Sequence, residues 1–368
     1  MRSFPGLLQG LKRWCSNVTG VGAWSLEGRS RYPTWPQHSG APFLSGATLR
    51  SHADAVLFDF EAVTIPASHA SVGMGGGTRM GGGTRGGGGE SGSTGLGAVS
   101  QQDESHNGGR AAVAIYVRGG HAVSRFFREL RPNLRQPYVL ITGGTDACAP
   151  AANLERYLND PKLLAWFARN PATVHPKLQP LPVGVEITSN TTLFARAVAL
   201  ASRVPKDRLL YASFTIRADP SSKDRTDALQ ATRKLGPDRG AFWHVAPPRL
   251  NEVEDTYNVI RSKFIVSPVG NGADCTRTYR ALLLGSIPVV CRRTNPLVAT
   301  GLYSGLPILI VDDWKQLSDP GFLAARYAEL SSRFRNGWER GWLFAQHWVE
   351  RIRATLETGK LPVGACER

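Results

Sequence analysis

The chain has 368 residues and a formal net charge of +15, from 44 basic and 29 acidic side chains; 42% of it is hydrophobic and 20% charged. That length can bury one or two sizeable cores, and the composition is that of a folded enzyme-like chain rather than a disordered or fibrous one. No window reaches the ~18 uninterrupted apolar residues of a membrane-spanning helix, and Lys12 and Arg13 break up the opening MRSFPGLLQGLKRW, which makes a poor signal peptide.

Residues 1–110 carry nine basic and seven acidic side chains, so +13 of the charge belongs to 111–368. Such a charge reads as a surface for nucleic acid, as a site for a phosphorylated or acidic small substrate, or as a solvated arginine-rich face. No module interleaves aromatic with basic residues, which ranks nucleic acid last. Cys15, Cys148, Cys275, Cys291 and Cys366 form no C-x-x-C and do not cluster with histidine, which argues against a zinc site. An odd count at wide spacing leaves room for one disulfide without establishing an oxidising compartment. Two sequons, at Asn17 and Asn190, matter only in a chain that enters the secretory route.

In chain order, residues 1–50 contain little to bury and read as a poorly structured region. ADAVLFDFEAV (53–63) reads as an isolated strand within 51–71, one that can belong to a domain interrupted by a glycine-rich insertion. Residues 72–110 open with VGMGGGTRMGGGTRGGGGESGSTGLG, which has almost no side chain to bury against the high entropy cost of ordering glycine, so it reads as a flexible linker or insertion. From residue 111 strands and helices alternate. AAVAIYVR is a buried strand, AVSRFFRELRP a short helix, and PYVLITGG a second strand ending in glycines. NLERYLNDPKLLAWFARN reads as helical in two pieces around Pro161, and KLQPLPVGVE as a short strand. A second series starts with the strand RLLYASFTI, the loop RADPSSKDR and a helix through TDALQATRKLG. AFWHVA, the helix LNEVEDTYNVIRS, the strand KFIVSP and the strand LPILIVDDW continue it. The last helical stretch puts Trp338, Trp342, Ala345, Val349, Ile352 and Leu356 on one face, a stripe expected to be core. Alternation at this pitch predicts α/β architecture with parallel, Rossmann-like sheets in two domains, 111–205 and 206–368, the second ending in a docking helix.

The stretch SPVGNGADCTRTYRALLLGSIPVV (267–290) carries the chemistry. A strand stops at Pro268, a loop with Gly270 and Gly272 comes next, a helix starts near Thr276, and Gly285 ends it before the next strand. Glycines let a backbone approach a ligand, and a helix start offers free N–H groups and a positive dipole end, which together suit a diphosphate. Asp274 or Thr276 is positioned to cap the helix, and Arg277 to pair with phosphate oxygens. The string is not G-x-G-x-x-G, because position 275 is cysteine, which disfavours a dinucleotide-dependent oxidoreductase.

This string resembles the donor-binding segment of exostosin-like glycosyltransferases. YVLITGGTDACAP (138–150) and HPKLQPLPVGVE (175–186) are similar to that family's acceptor-side domain, and LLYASFTIRADPSSKDR (209–225) to the first strand and loop of its donor-side domain. The resemblance runs from about residue 111 to the C-terminus. It implies two Rossmann-like domains facing a cleft, the GT-B arrangement, and transfer of a sugar with inversion from a nucleotide-sugar, a UDP-sugar above all, to a glycan or glycoprotein hydroxyl. It implies no metal and no D-x-D, and the sequence has no D-x-D; Asp312-Asp313 reads as a strand end. A Golgi or endomembrane lumen is implied too, with membrane association only through sequence beyond this chain. Donor contacts fall on Ser267, Gly270, Asn271, Gly272, Asp274, Arg277 and Arg280, with Arg217, Lys223 and Arg225 from the preceding loop. Asp146 and His175 are the candidate bases that would deprotonate the acceptor hydroxyl. Where the family carries glutamate before Ala-Leu this chain has Arg280, which cannot accept a hydrogen bond. Arg280 therefore contacts phosphate or a carboxylated sugar, or donor binding is impaired. The alternative reading is a non-catalytic relative that binds a nucleotide-sugar or glycan.

Overall fold

The computed structural model describes residues 55–58, 61–64, 112–171, 173–185, 191–216, 222–246 and 250–362. The expectations for residues 1–50 and 72–110, for Arg217, and for Cys15 and Cys366 fall outside these residues.

The fold is α/β, built on two sheets of mainly parallel strands. The first sheet has the order β2-β1-β3-β4-β5-β6, with β1 Ala55–Phe58, β2 Glu61–Thr64, β3 Val113–Arg118, β4 Tyr138–Gly143, β5 Leu163–Ala168 and β6 Leu178–Pro180. The expected isolated strand at 53–63 is instead an antiparallel pair, β1 with β2, and β1 runs parallel to β3 across the 65–111 stretch. Between β3 and β4 lies α1, His121–Arg125, which continues as a π turn and a 3-10 turn to Asn133.

The second half of the segment expected to be helical, LLAWFA, is β5, paired between β4 and β6. Its alternate side chains are apolar on both faces, Ala165 and Phe167 toward one core and Trp166 and Ala168 toward another. A continuous apolar run that a central strand needs lacks the polar stripe of a surface helix, and periodicity alone does not separate the two.

The second sheet contains β7 Arg208–Thr215, β8 Ala241–Ala246, β9 Ser262–Val266, β10 Ile287–Cys291 and β11 Leu309–Val311, in the order β11-β10-β9-β7-β8, all parallel. Its helices are α3 Ser222–Leu235, α4 Glu252–Arg261, α5 Thr276–Leu283 and α6 Pro320–Arg333; α2, Thr191–Leu200, precedes them in the connection from the first sheet. Alternation along β7 sorts the layers. Leu210, Ala212 and Phe214 pack with Ala228 and Leu229 of α3 and Leu323 of α6. Tyr211 points the other way, into a core with Val259 and Ile260 of α4 and Ala281 and Leu282 of α5.

That second core is common to both sheets, because Ala114, Tyr116, Val139, Ile141, Ala165 and Phe167 of the first sheet belong to it. The last helix, α7 Ala345–Thr358, adds Trp348, Val349 and Ile352 and contacts β3, β4 and β5. The C-terminal helix thus docks on the first sheet, not the second. Trp342 lies in a 3-10 turn ahead of it and is buried, as are Ala345, Val349 and Ile352; Trp338 and Leu356 pack at the margin of the core.

Candidate functional site

Read in chain order, the second sheet has its first strand, β7, between its second and its third. The crossover from β7 to β8 runs one way and the next, from β8, passes back across β7 to β9, so a crevice opens beyond the carboxyl ends of β7 and β9. A cavity of about 200 Å³ occupies that place. Tyr211 and Ser213 of β7 and Ile265 of β9 line it, together with Glu252, Asp255 and Val259 of α4 and Thr276, Arg277 and Arg280 of α5. Val185 and Phe194, from the connection out of the first sheet, complete the wall. The volume is below the ~300–1,000 Å³ of a whole small-molecule site, so the cavity suits one moiety of a ligand.

Cys275 is the N-cap of helix α5; its backbone is extended and its side chain makes no capping bond. Neither Asp274 nor Thr276 caps it, contrary to expectation. The first turn, with Thr276 and Arg277 on the cavity wall, therefore has N–H groups that no side chain caps. Arg277 donates from Nε to the Ser213 carbonyl at 3.1 Å and from Nη1 to that of Pro268 at 3.4 Å, with its guanidinium 5.3 Å from the Phe214 ring centre. Those bonds brace the end of β7 against the loop and leave Nη2 with no acceptor among the described residues.

Arg280 also lines the cavity, but its charge is spoken for. Nη1 is 3.1 Å from Asp255 Oδ2, and Nη2 donates to the Glu252 carbonyl at 3.3 Å and to Thr256 Oγ1. Its Nε is buried without a partner. Asp255 in turn accepts from Tyr211 Oη at 3.0 Å, and burial, with the Asp255 charge adding to it, pushes the Tyr211 phenol well above its ordinary value.

The Gly270–Gly272 loop packs closely against protein neighbours. Asp224 and Arg225, in the first turn of α3, hold Val269 from both sides. Asp224 Oδ2 accepts from the Val269 N–H at 2.9 Å, and Arg225 Nε donates to the Val269 carbonyl at 3.1 Å. A Cβ on Gly270 would stand 3.0 Å from the Arg225 guanidinium, and one on Gly272 would stand 2.8 Å from Asn170 Nδ2 and 3.3 Å from the Asp146 carbonyl. The glycines admit protein neighbours, one of them from the first sheet's loops. Helix α3 begins at Ser222, not near Thr226, so Lys223 and Arg225 are helical; Lys223 is exposed and pairs with Asp227 at 3.2 Å. Arg225 is a brace and Lys223 a surface residue.

Asp274 is the centre of a joint between the two sheets. Its N–H donates to Asn170 Oδ1 at 2.8 Å, and its Oδ2 accepts from the Val183 N–H at 2.6 Å. Cys275 N–H and the hydroxyls of Tyr279 and Tyr303 also donate to this carboxylate. Burial pushes its carboxyl up to about 6 against these donors. Ser267 is buried too, with Oγ 2.9 Å from Thr278 Oγ1, so it ties strand β9 to α5, and Asn271 is at the exposed tip of the loop.

Asp146 is exposed, and its carbonyl accepts from Asn170 Nδ2 at 3.3 Å. His175 accepts the Lys177 N–H on Nδ1 at 3.1 Å, inside a turn. Neither lines the cavity. Of the expected donor residues the structure brings Arg277 and Arg280 to the cavity, and puts Ser267, Gly270, Gly272, Asp274 and Arg225 into the scaffold around it. Sequence reasoning missed Tyr211, Glu252 and Asp255. The signal for the last two is the run NEVED, in which Asn251 Oδ1 accepts the Glu254 N–H and three acids fill the first turn of α4. Among the described residues no group of three or more His, Cys, Asp and Glu is placed to hold a metal. No protein-family model matches the sequence, and no curated protein is significantly similar to it.

Proposed function

We propose that this chain is a glycosyltransferase of exostosin-like type, whose two domains face a cleft in the GT-B manner. It takes a nucleotide-sugar, a UDP-sugar in our reading, and transfers the sugar with inversion to a glycan or glycoprotein hydroxyl. The observation that carries this is the cavity at the β7/β9 crossover, bordered by an uncapped helix start and by Arg277 with Nη2 to spare. A leaving diphosphate gains charge as the glycosidic bond breaks, and fixed N–H groups with a guanidinium stabilise it without reorganising. The resemblance of 267–290 to a donor segment points to the same place. A donor screen tests the reading: turnover of one nucleotide-sugar supports the enzyme, and absence of both turnover and binding across the panel defeats it.

A second reading, a non-catalytic nucleotide-sugar or glycan binder, is favoured by one observation. The expected bases, Asp146 and His175, are not on the cavity wall. A melting shift with a nucleotide-sugar and no turnover of any donor supports this alternative.

A further inference from the structure

Two arginines that do not line the β7/β9 cavity, Arg118 and Arg169, stand at the carboxyl edge of the first sheet. We propose that this edge holds a second site, for an oxyanion (a carboxylate or phosphate group carried by a ligand), gripped by both guanidinium groups across the Gly143–Gly144 turn. The proposal does not depend on the nucleotide-sugar reading. Parallel sheets bind ligands beyond the carboxyl ends of their strands, and β3, β4 and β5 end side by side here. β3 ends in Arg118, Arg169 follows β5, and between them β4 runs out in two glycines without side chains. A Cβ on Gly143 would stand 3.0 Å from Arg169 Cδ and 3.3 Å from Tyr116 Oη. One on Gly144 would stand 3.1 Å from the same hydroxyl and 3.6 Å from Arg118 Cγ. The glycine pair thus makes room for two arginine stems, one from each neighbouring strand, with the Tyr116 hydroxyl between them.

The state of Arg169 points to a ligand. This side chain is half-buried, yet among the described residues its guanidinium donates no hydrogen bond and makes no ion pair. Only its Nε is enclosed; the two terminal nitrogens, the fork that pairs with an oxyanion, reach solvent. Neighbouring acids do not take that fork. Asp146, in the loop after Gly144, is exposed, and it is its carbonyl that accepts from Asn170. Asp274 feels the Arg169 charge, but its hydrogen bonds come from Val183, Cys275, Tyr279 and Tyr303. A guanidinium drawn partly out of water without an acceptor is unfavourable, and a bound oxyanion relieves it. Arg118 is exposed and brings a second positive charge to the same turn.

Phenylglyoxal, which modifies accessible arginines, tests this in the full chain when the modified positions are mapped by mass spectrometry. Glucuronate and inorganic phosphate are the probes, glucose is the neutral control, and Arg128, with its side chain 68% exposed, is the internal reference. We expect an anion to slow modification of Arg118 and Arg169 together several-fold, with Arg128 unaffected and glucose without effect. Slowing by glucuronate names an acidic sugar as the source of the oxyanion, and slowing by phosphate alone names a phosphorylated ligand. Arg118→Gln removes one charge-assisted contact at an exposed position, so the anion concentration that protects Arg169 should rise about tenfold. Equal modification of Arg118 and Arg169 with and without each anion overturns the inference. So does protection of Arg169 that Arg118→Gln leaves unchanged. An Arg169 that resists the reagent in the ligand-free protein overturns it too, since its fork would then be closed to a ligand. The nucleotide-sugar reading stands or falls on a separate arm, the protection of Arg277 by UDP.

Discussion

Replacing Asn170 measures what the joint between the two sheets is worth. Asn170 is 2% exposed, sits at φ +48° just after β5, accepts the Asp274 N–H at 2.8 Å and donates to the Asp146 carbonyl at 3.3 Å. Asn170→Ala leaves the buried Asp274 N–H without an acceptor, which costs about 1–3 kcal/mol. It also puts a side chain with no local hydrogen bond in the left-handed region, at about 1 kcal/mol more. The sum is about 2–4 kcal/mol out of the ~5–15 kcal/mol typical of a folded domain. Asn170→Gly accepts the backbone conformation and should lose only the hydrogen-bond part, so it should unfold at a higher urea concentration than Asn170→Ala. Urea unfolding followed by tryptophan fluorescence and by circular dichroism reads both variants. Because the central core is common to both sheets, the two probes should trace one transition. A change below about 0.5 kcal/mol in Asn170→Ala would refute the reasoning, since no buried donor could then depend on this side chain.

Gly272→Ala, whose Cβ would stand 2.8 Å from Asn170 Nδ2, should cost about 1–3 kcal/mol, and combined with Asn170→Ala it should cost clearly less than the two single losses added. Arg277→Ala should lower ligand-free stability by about 1–2 kcal/mol, because two carbonyl contacts go, and should weaken nucleotide-diphosphate binding about tenfold or more; thermal melting and calorimetry separate the two effects. Asp274 has a folded value of about 6 against an ordinary 3.8, so its contribution to stability is full below about 3.8 and is lost as pH rises through 6, about 3 kcal/mol in all. The stability gap between wild type and Asp274→Asn should therefore widen from pH 7 to pH 4 in urea titrations, and a gap that narrows would contradict the buried carboxyl described here.

Most strands of the fold were legible because they are short apolar runs with Gly or Pro at one end, as at Val113–Arg118, which Gly119 follows, and Ile287–Cys291, which Gly285 precedes. LLAWFA was not, since an apolar run without polar spacing fits a buried helix and a central strand equally. The helix Pro320–Arg333 was also missed, although Asp319 caps it and Pro320 opens it. At the site, the loop and helix of 267–290 were legible, and so was the placing of Arg277 and Arg280 on one helix. What the loop touches was not. Gly270 and Gly272 look the same in sequence whether they admit a phosphate or a neighbouring side chain. Their neighbours here are Arg225, 45 positions before Gly270, and Asn170, 102 before Gly272. Asp274 reads as a helix cap until the fold brings Val183 to it. Such pairings depend on how two sheets come together, and no local pattern carries them.

A crystal structure of the protein with UDP bound tests the central claim most directly. The account predicts the diphosphate at the start of α5, within hydrogen-bond distance of the Thr276 and Arg277 N–H groups and of Arg277 Nη2. Density for UDP at the first sheet, or at the Gly270–Gly272 tip with the β7/β9 cavity vacant, would contradict it.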